Sequence, residues 1–139
     1  MNITNLDGEV VSWALTGYVS KGKIQNKSSY HLQARNLLIS LHPTLQILEE
    51  VLVPIRKGQI AYLDFYLPLL KWCVEVHGEQ HYKYVPYYHG NMMSFLKAQK
   101  KDREKSEWCN INNIRYIELP YHENIDQWTQ RINYEQQII

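Results

Sequence analysis

Ala61-Tyr62-Leu63-Asp64-Phe65-Tyr66-Leu67 and, across a turn at Pro68, Lys71-Trp72-Cys73-Val74-Glu75-Val76-His77 decide how this chain folds. Both are short runs of branched, aromatic and other apolar residues flanked by turn formers, which predicts an antiparallel hairpin. Each run carries carboxylates where a buried strand tolerates few: Asp64 in the first, Glu75 in the second, with His77 two residues on. Side chains alternate between the faces of a strand, so Glu75 and His77 point the same way. A hairpin of this length brings Asp64 beside them.

Outward from the hairpin, Ile47 to Val53 reads as a third strand, rich in branched apolar residues. Upstream, Ser28 or Ser29 caps a helix running to about Leu41, with Leu32, Leu37, Leu38 and Leu41 as its apolar stripe and His42-Pro43 as its stop. At the start, Glu9 to Trp13 and Leu15 to Val19 read as a short hairpin, and Lys21 to Lys27 as a polar, basic loop. Downstream, Gly78 breaks the strand pattern and a tyrosine-rich loop, Tyr82 to Gly90, leads into a long helix from about Met92 to Asn110. Asn112-Asn113 is a turn, Ile114 to Leu119 a further strand stopped by Pro120, and Ile125, Trp128 and Ile132 lie at helical spacing in a last amphipathic segment. The expected fold is α/β: one domain over residues 1–139, with a central mixed sheet of antiparallel strands plus a later strand, flanked by helices. Within it, 1–27 forms the N-terminal strands and basic loop, 28–121 the core, and 122–139 the C-terminal helix.

Composition narrows the class. The 139 residues are 45% hydrophobic, enough for one real core and unlike a disordered chain. Apolar runs such as Val51 to Val53 are far short of the ~20 residues of a membrane span. The N-terminus lacks a basic region followed by an apolar run, so a cytoplasmic protein is expected. Cys73 and Cys109 stand beside tryptophans without paired metal-ligand spacing, and read as buried free thiols. The formal charge is +1, but its distribution is uneven. Lys21, Lys23, Lys27 and Arg35 fall in an early stretch without acids, six basic residues lie from Lys83 to Lys105, and the chain turns acidic from Glu118. That asymmetry suits a face turned to a polyanion, and equally a solvated helix.

Two carboxylates close together in a largely buried sheet are costly unless a cation neutralises them. Oxygen donors of this kind suit Mg²⁺, with Mn²⁺ as a substitute, and no organic cofactor is implied. A hard divalent ion so held polarises a phosphodiester and lowers the pKa of a bound water. His77 could then orient or deprotonate that water. On the long helix, Phe95, Gln99, Asp102 and Ser106 share one face; Phe95 turns it inward and carries Asp102 and Gln99 toward the sheet. Lys97, Lys101 and Lys105 form a neighbouring stripe able to meet phosphates. Tyr82, Tyr84, Tyr87 and Tyr88, with Lys83 and His89, could stack on bases or simply pack a long loop.

These pieces occur in a recognisable order. Leu63-Asp64-Phe65-Tyr66, Val74-Glu75-Val76-His77-Gly78-Glu79-Gln80-His81-Tyr82, Lys101-Asp102-Arg103-Glu104-Lys105 with Trp108, and Ile114 to Pro120 resemble the PD-(D/E)XK nuclease superfamily. The resemblance is to the branch similar to very-short-patch-repair endonucleases and the phage-type homing endonucleases described by an EDxHD motif. It runs from about Ser28 to Tyr121, roughly two-thirds of the chain. It implies a restriction-endonuclease-like fold and a metal-dependent DNA endonuclease of homing or mobile-element type, acting on double-stranded DNA. Asp64 and Glu75 would bind metal with the backbone carbonyl of Val76, and His77 would replace the lysine of the commoner motif. His81 would match a second site histidine, with an interval one residue shorter than in the repair enzymes, and Asp102 the final aspartate. Lys97, Lys101, Lys105, Lys83, Tyr84 and Lys27 would contact nucleic acid. The superfamily's leading helix glutamate has no counterpart in Ser28 to Leu38, where His31 or Gln33 stands instead as a supporting group. The structural zinc site of the repair enzymes is also missing. A homodimer would be the simplest route to cutting both strands. The rival readings are a nicking repair enzyme, a branched-DNA endonuclease, and a DNA-binding module on a nuclease fold without catalysis.

Overall fold

The hairpin forms, and the rest of the chain is arranged around it in a computed structural model that describes residues 1–20 and 27–137. Lys21 and Lys23 therefore lie outside the described residues. Strands β4 (Leu48–Arg56), β5 (Gln59–Leu67) and β6 (Trp72–His77) follow one another as an antiparallel meander. Strand β7 (Arg115–Pro120) then lies parallel to β6, with Trp72 beside Arg115 and His77 beside Pro120. Parallel neighbours need a long crossover. Here it comprises a single 3₁₀ turn at Glu79–His81, the short helix α2 (Pro86–His89) and the long helix α3 (Met92–Ile111).

The N-terminal hairpin expected at Glu9 to Val19 is partitioned differently. Strand β1 (Asn2–Thr4) pairs with β2 (Val10–Ser12) in a separate two-stranded sheet. Strand β3 (Tyr18–Val19) instead joins the edge of the main sheet beside β4, giving the five-strand order β3-β4-β5-β6-β7. Gly17 enforces this: at φ +110°, a β-carbon there would stand 2.4 Å from the Glu49 carbonyl oxygen. The architecture is α/β with a mixed sheet between helices.

One face of the sheet packs Trp108, Cys109 and Ile114 against Val51, Val53, Leu63 and Tyr66, with Ile3 and Trp13 of the small hairpin closing the layer. Trp13 meets Trp108 edge to face at 5.2 Å. Cys73 and Cys109 are the two free thiols, both buried in this layer. Burial pushes the Cys73 thiol well up, as does its neighbour Cys109. The other face packs Phe65, Val74, Val76 and Leu119 against Ala34 and Leu38 of α1 (Ser29–Leu41) and Trp128 and Ile132 of α4 (Ile125–Gln137).

The helix starts follow local chemistry. Ser28 Oγ accepts the His31 N–H at 3.2 Å, and Asn91 Oδ1 accepts the Ser94 N–H at 2.9 Å. Asn124 and Gln127 cap reciprocally, each side-chain oxygen accepting the other's N–H at 2.9 Å.

Candidate active site at a fork in the sheet

The ladder between β5 and β6 covers three pairs: Leu67 with Trp72, Tyr66 with Cys73, and Phe65 with Val74. Beyond it, the site residues take the place of backbone pairing. The Asp64 N–H donates to Glu75 Oε2 at 2.7 Å, and the Val76 N–H donates to Asp64 Oδ2 at 2.9 Å. The two carboxylates therefore fill a fork between the strands, each held by the other strand's backbone.

The sheet is irregular at the same level. Leu48 and Val51 belong to one core layer although three residues apart, and so do Leu63 and Tyr66. Regular alternation would place each pair on opposite faces, so it is interrupted between them. Glu50, inside that interval, takes a left-handed φ of 54°. The register of Glu49 with Phe65 and Val51 with Leu63 puts Glu50 across from Asp64, and Lys27 is paired with its carboxylate. A strained backbone at this level is held by the packing on either side.

Lys105 reaches into the fork from α3. Its Nζ lies 2.9 Å from Glu75 Oε1, and the Glu75 residue is only 1% exposed. Burial raises the Asp64 carboxyl to about 7, with the charge of Glu75 pushing the same way and Lys105 opposing it. For Lys105, burial opposes the charged form, yet Glu75 and Asp64 outweigh it and hold the ammonium above its ordinary range. Lys105 is thus committed to Glu75 and does not stand on an exposed phosphate-facing stripe.

A second cluster adjoins the fork on the same side of β6. His77 Nδ1 lies 2.7 Å from Glu118 Oε1 on β7, and its Nε2 lies 3.2 Å from the Tyr116 hydroxyl. The His77 ring stacks on that of His81, with centroids 4.2 Å apart and planes 2° from parallel. His81 Nδ1 in turn lies 2.8 Å from Asp102 Oδ2. One donor atom from each of His77, His81 and Asp102 falls within 4.8 Å of the others. Burial opposes ionisation of Asp102, but His81 and His77 draw its carboxyl below the ordinary range. Glu118 is lowered chiefly by its bond to His77.

The remaining expected residues divide. Lys97 and Lys101, with Lys100 and Arg56, line a groove of about 710 Å³ between α3 and β5, whose floor includes Ile60 and Tyr62. Lys83 is exposed after the 3₁₀ turn. Tyr84 is not a free stacking platform: its hydroxyl donates to the Gly90 carbonyl at 3.2 Å and its ring packs near His89 and Phe95. Gln99 is half-buried on α3, and Lys27 is turned to Glu50.

His31 and Gln33 do not stand in for a helix glutamate at the fork. Gln33 is exposed, while His31 is buried with Nε2 2.6 Å from Glu49 Oε1 and its ring stacked on Phe65 at 4.5 Å. Phe65 faces the α1–α4 layer and takes His31 with it. Glu49 also accepts from Arg35 Nε at 2.7 Å and from Ser20 Oγ at 2.6 Å. This buried cluster joins α1 to β4.

Sequence reasoning passed over Glu118, Tyr116 and Glu50 as site neighbours. Glu118 had a visible signal: it interrupts the apolar strand Ile117-Glu118-Leu119 just as Glu75 interrupts its own, and the two are parallel partners in register.

No family model and no solved structure matches this chain. It is similar to three viral proteins whose names assign no activity. Uncharacterized protein 307L of Invertebrate iridescent virus 6 is 46% identical over 59 residues, 42% of this chain and 30% of that protein. Uncharacterized protein 094L of Frog virus 3 (isolate Goorha) is 37% identical over 65 residues, 46% of this chain and 42% of the relative. Uncharacterized protein 033L of Invertebrate iridescent virus 3 is 32% identical over 64 residues, 46% and 33% of the respective chains. The matched segments thus cover less than half of each relative's length.

Proposed function

We propose that the chain is a Mg²⁺-dependent endonuclease that hydrolyses DNA phosphodiesters at the β5–β6 fork, on a restriction-endonuclease-like core. The observation that carries the proposal is the convergence of Asp64, Glu75 and Lys105 there. Two carboxylates face one ammonium, and the Asp64 carboxyl is raised first by burial and then by the charge of Glu75, with Lys105 opposing. Such a donor set fits a hard divalent ion. Asp64, Glu75 and the Val76 carbonyl would hold Mg²⁺, or Mn²⁺ in its place. When bound, the ion polarises the phosphodiester and acidifies a water.

The chain's own groups divide the remaining work. Lys105 supplies from α3 the cation that Glu75-Val76-His77 lacks on the strand itself. His77 has both ring nitrogens engaged by Glu118 and Tyr116, so it orients the site rather than carrying a proton. His81 is held by Asp102 through Nδ1, and its Nε2 makes no hydrogen bond among the described residues. In this reading that nitrogen takes the proton of the attacking water, or returns one to the leaving oxygen as the P–O bond breaks. Lys97, Lys100 and Lys101 along the α3 groove hold phosphates of double-stranded DNA. A homing or mobile-element endonuclease is the preferred type, working as a homodimer where both strands are cut. Double-strand breaks made by a monomer at single-enzyme dilution would overturn the dimer.

The decisive assay incubates supercoiled plasmid and a mixed DNA library with Mg²⁺, Mn²⁺ or EDTA, comparing the wild type with Asp64→Ala. Metal-dependent cutting that the variant loses is the expected result, and the product ends separate nicking from double-strand cleavage. A second reading, a DNA-binding module without catalysis, is favoured by one observation: α1 turns His31 and Arg35 to Glu49 and sends no carboxylate to the fork. Tight, salt-sensitive DNA binding with no cutting of either substrate would select it.

A further inference from the structure

We infer that His77, His81 and Asp102 form a binding site for a borderline transition-metal ion such as Zn²⁺ or Co²⁺, separate from the carboxylate fork. Three elements bring the ligands together: β6 supplies His77, the 3₁₀ turn His81, and α3 Asp102. Two imidazoles and one carboxylate are the ligand chemistry of such ions, whereas Mg²⁺ prefers oxygen throughout. The donor atoms lie within 4.8 Å of one another. Metal–ligand bonds of about 2.0–2.2 Å require any two donors to be within roughly 4.4 Å. Closing the cluster on an ion therefore needs a few tenths of an ångström of approach and a rotation of the stacked His77 and His81 rings that turns their lone pairs toward one point.

Two further features mark His77 as a ligand rather than one half of an ordinary ion pair. Glu118 accepts from its Nδ1 at 2.7 Å, which fixes the tautomer with the lone pair on Nε2. A carboxylate behind the non-ligating nitrogen is the usual support of a metal-bound histidine. The His81 ring lies parallel to that of His77 with centroids 4.2 Å apart, which keeps the second imidazole beside the first. The Asp102 carboxylate brings to the cluster a negative charge that a divalent cation satisfies. Tyr116, whose hydroxyl lies 3.2 Å from His77 Nε2, is the group an incoming ion displaces.

Three protein ligands leave further positions open to water or an added anion, as in reactive rather than sealed sites. Binding itself does not depend on the nuclease reading. If that reading holds, the two states exclude each other, since a bound ion withdraws His81 from proton transfer.

The test titrates Co²⁺ into the metal-free full chain, without nucleic acid, and follows visible d–d absorption together with displacement by Zn²⁺. One saturable site per chain is expected, displaced by micromolar Zn²⁺ and resistant to millimolar Mg²⁺. Asp64→Asn and Tyr116→Phe keep it. His81→Ala and the isosteric Asp102→Asn each weaken it at least tenfold, with unchanged circular dichroism establishing that they fold. The inference is overturned by the absence of saturable Co²⁺ absorption in the wild type. It is equally overturned if Asp64→Asn abolishes the site while His81→Ala keeps it, because the ion would then sit on the carboxylate fork. Neither result bears on DNA cleavage in Mg²⁺, so failure here is distinct from failure of the nuclease proposal.

Discussion

Asp64 is held by the Val76 N–H, yet burial beside Glu75 raises its carboxyl to about 7, far above its ordinary 3.8. An acid whose folded pKa is raised binds more protons folded than unfolded, so stability falls as pH rises between those two values. Asp64→Asn removes that slope. In thermal melts from pH 4 to 8, the variant should match the wild type near pH 4 and exceed it at pH 7–8, while its DNA cleavage is lost. Equal pH dependence in both proteins would show that Asp64 ionises normally. Lys105 makes the complementary case. Lys105→Met strands a buried Glu75 and should cost about 3–5 kcal/mol in urea unfolding. Adding Glu75→Gln to it should recover most of that stability and none of the activity. Recovered cutting in the double variant would mean the pair is only structural.

At the scale of elements, the joint between α1 and β4 rests on Glu49. Burial works against its ionisation, but hydrogen bonds from His31, Arg35 and Ser20 overcome that and lower the carboxyl to about 2. Its folded pKa lies below the unfolded one, so its stabilisation is fully present above about pH 4.5 and is lost as pH falls toward 2. Glu49→Gln should destabilise the protein by about 3 kcal/mol at pH 7, since the buried charge that accepts from His31, Arg35 and Ser20 is removed. The gap to the wild type should narrow steadily below pH 4.5. Urea unfolding from pH 2.5 to 7 measures it, and a constant gap would assign the loss to packing instead. The elements themselves were largely legible: the helix from Ser28, the meander, the long helix and the final strand follow from apolar period and caps. The N-terminal strands were not, because two- and three-residue strands carry almost no periodic signal, and the close approach of the Glu49 carbonyl that leaves no room for a β-carbon at Gly17 is a tertiary feature.

For the molecule as a whole, the basic residues gather along α3 while the fork lies behind it. Lys97, Lys100, Lys101 and Lys105 all line the groove, but the ammonium of Lys105, one turn further on, is taken by Glu75. Substituting alanine at Lys97, Lys100 or Lys101 should weaken DNA binding across all sequences. Each should also lower the salt slope of log K by about one. Lys105→Met should leave that slope nearly unchanged while abolishing cleavage. Fluorescence anisotropy with a labelled duplex from 50 to 300 mM salt checks both, and a reduced slope for Lys105→Met would return that lysine to the phosphate-binding face.

The sequence alone determined strands β4 to β7, the long helix, and which carboxylates and histidines had to be accommodated in apolar surroundings. Hydrophobic period and polar interruption are local properties, readable without knowing what lies across the fold. Tertiary structure decided the partners: Lys105 with Glu75, Glu118 behind His77, Glu50 across from Asp64, and His31 turned away to Glu49. Each of these pairs joins different elements, so sheet register and helix rotation, rather than sequence spacing, set whether they meet. The charge of a lysine is written in the chain; whether it faces a phosphate or a buried glutamate depends on packing.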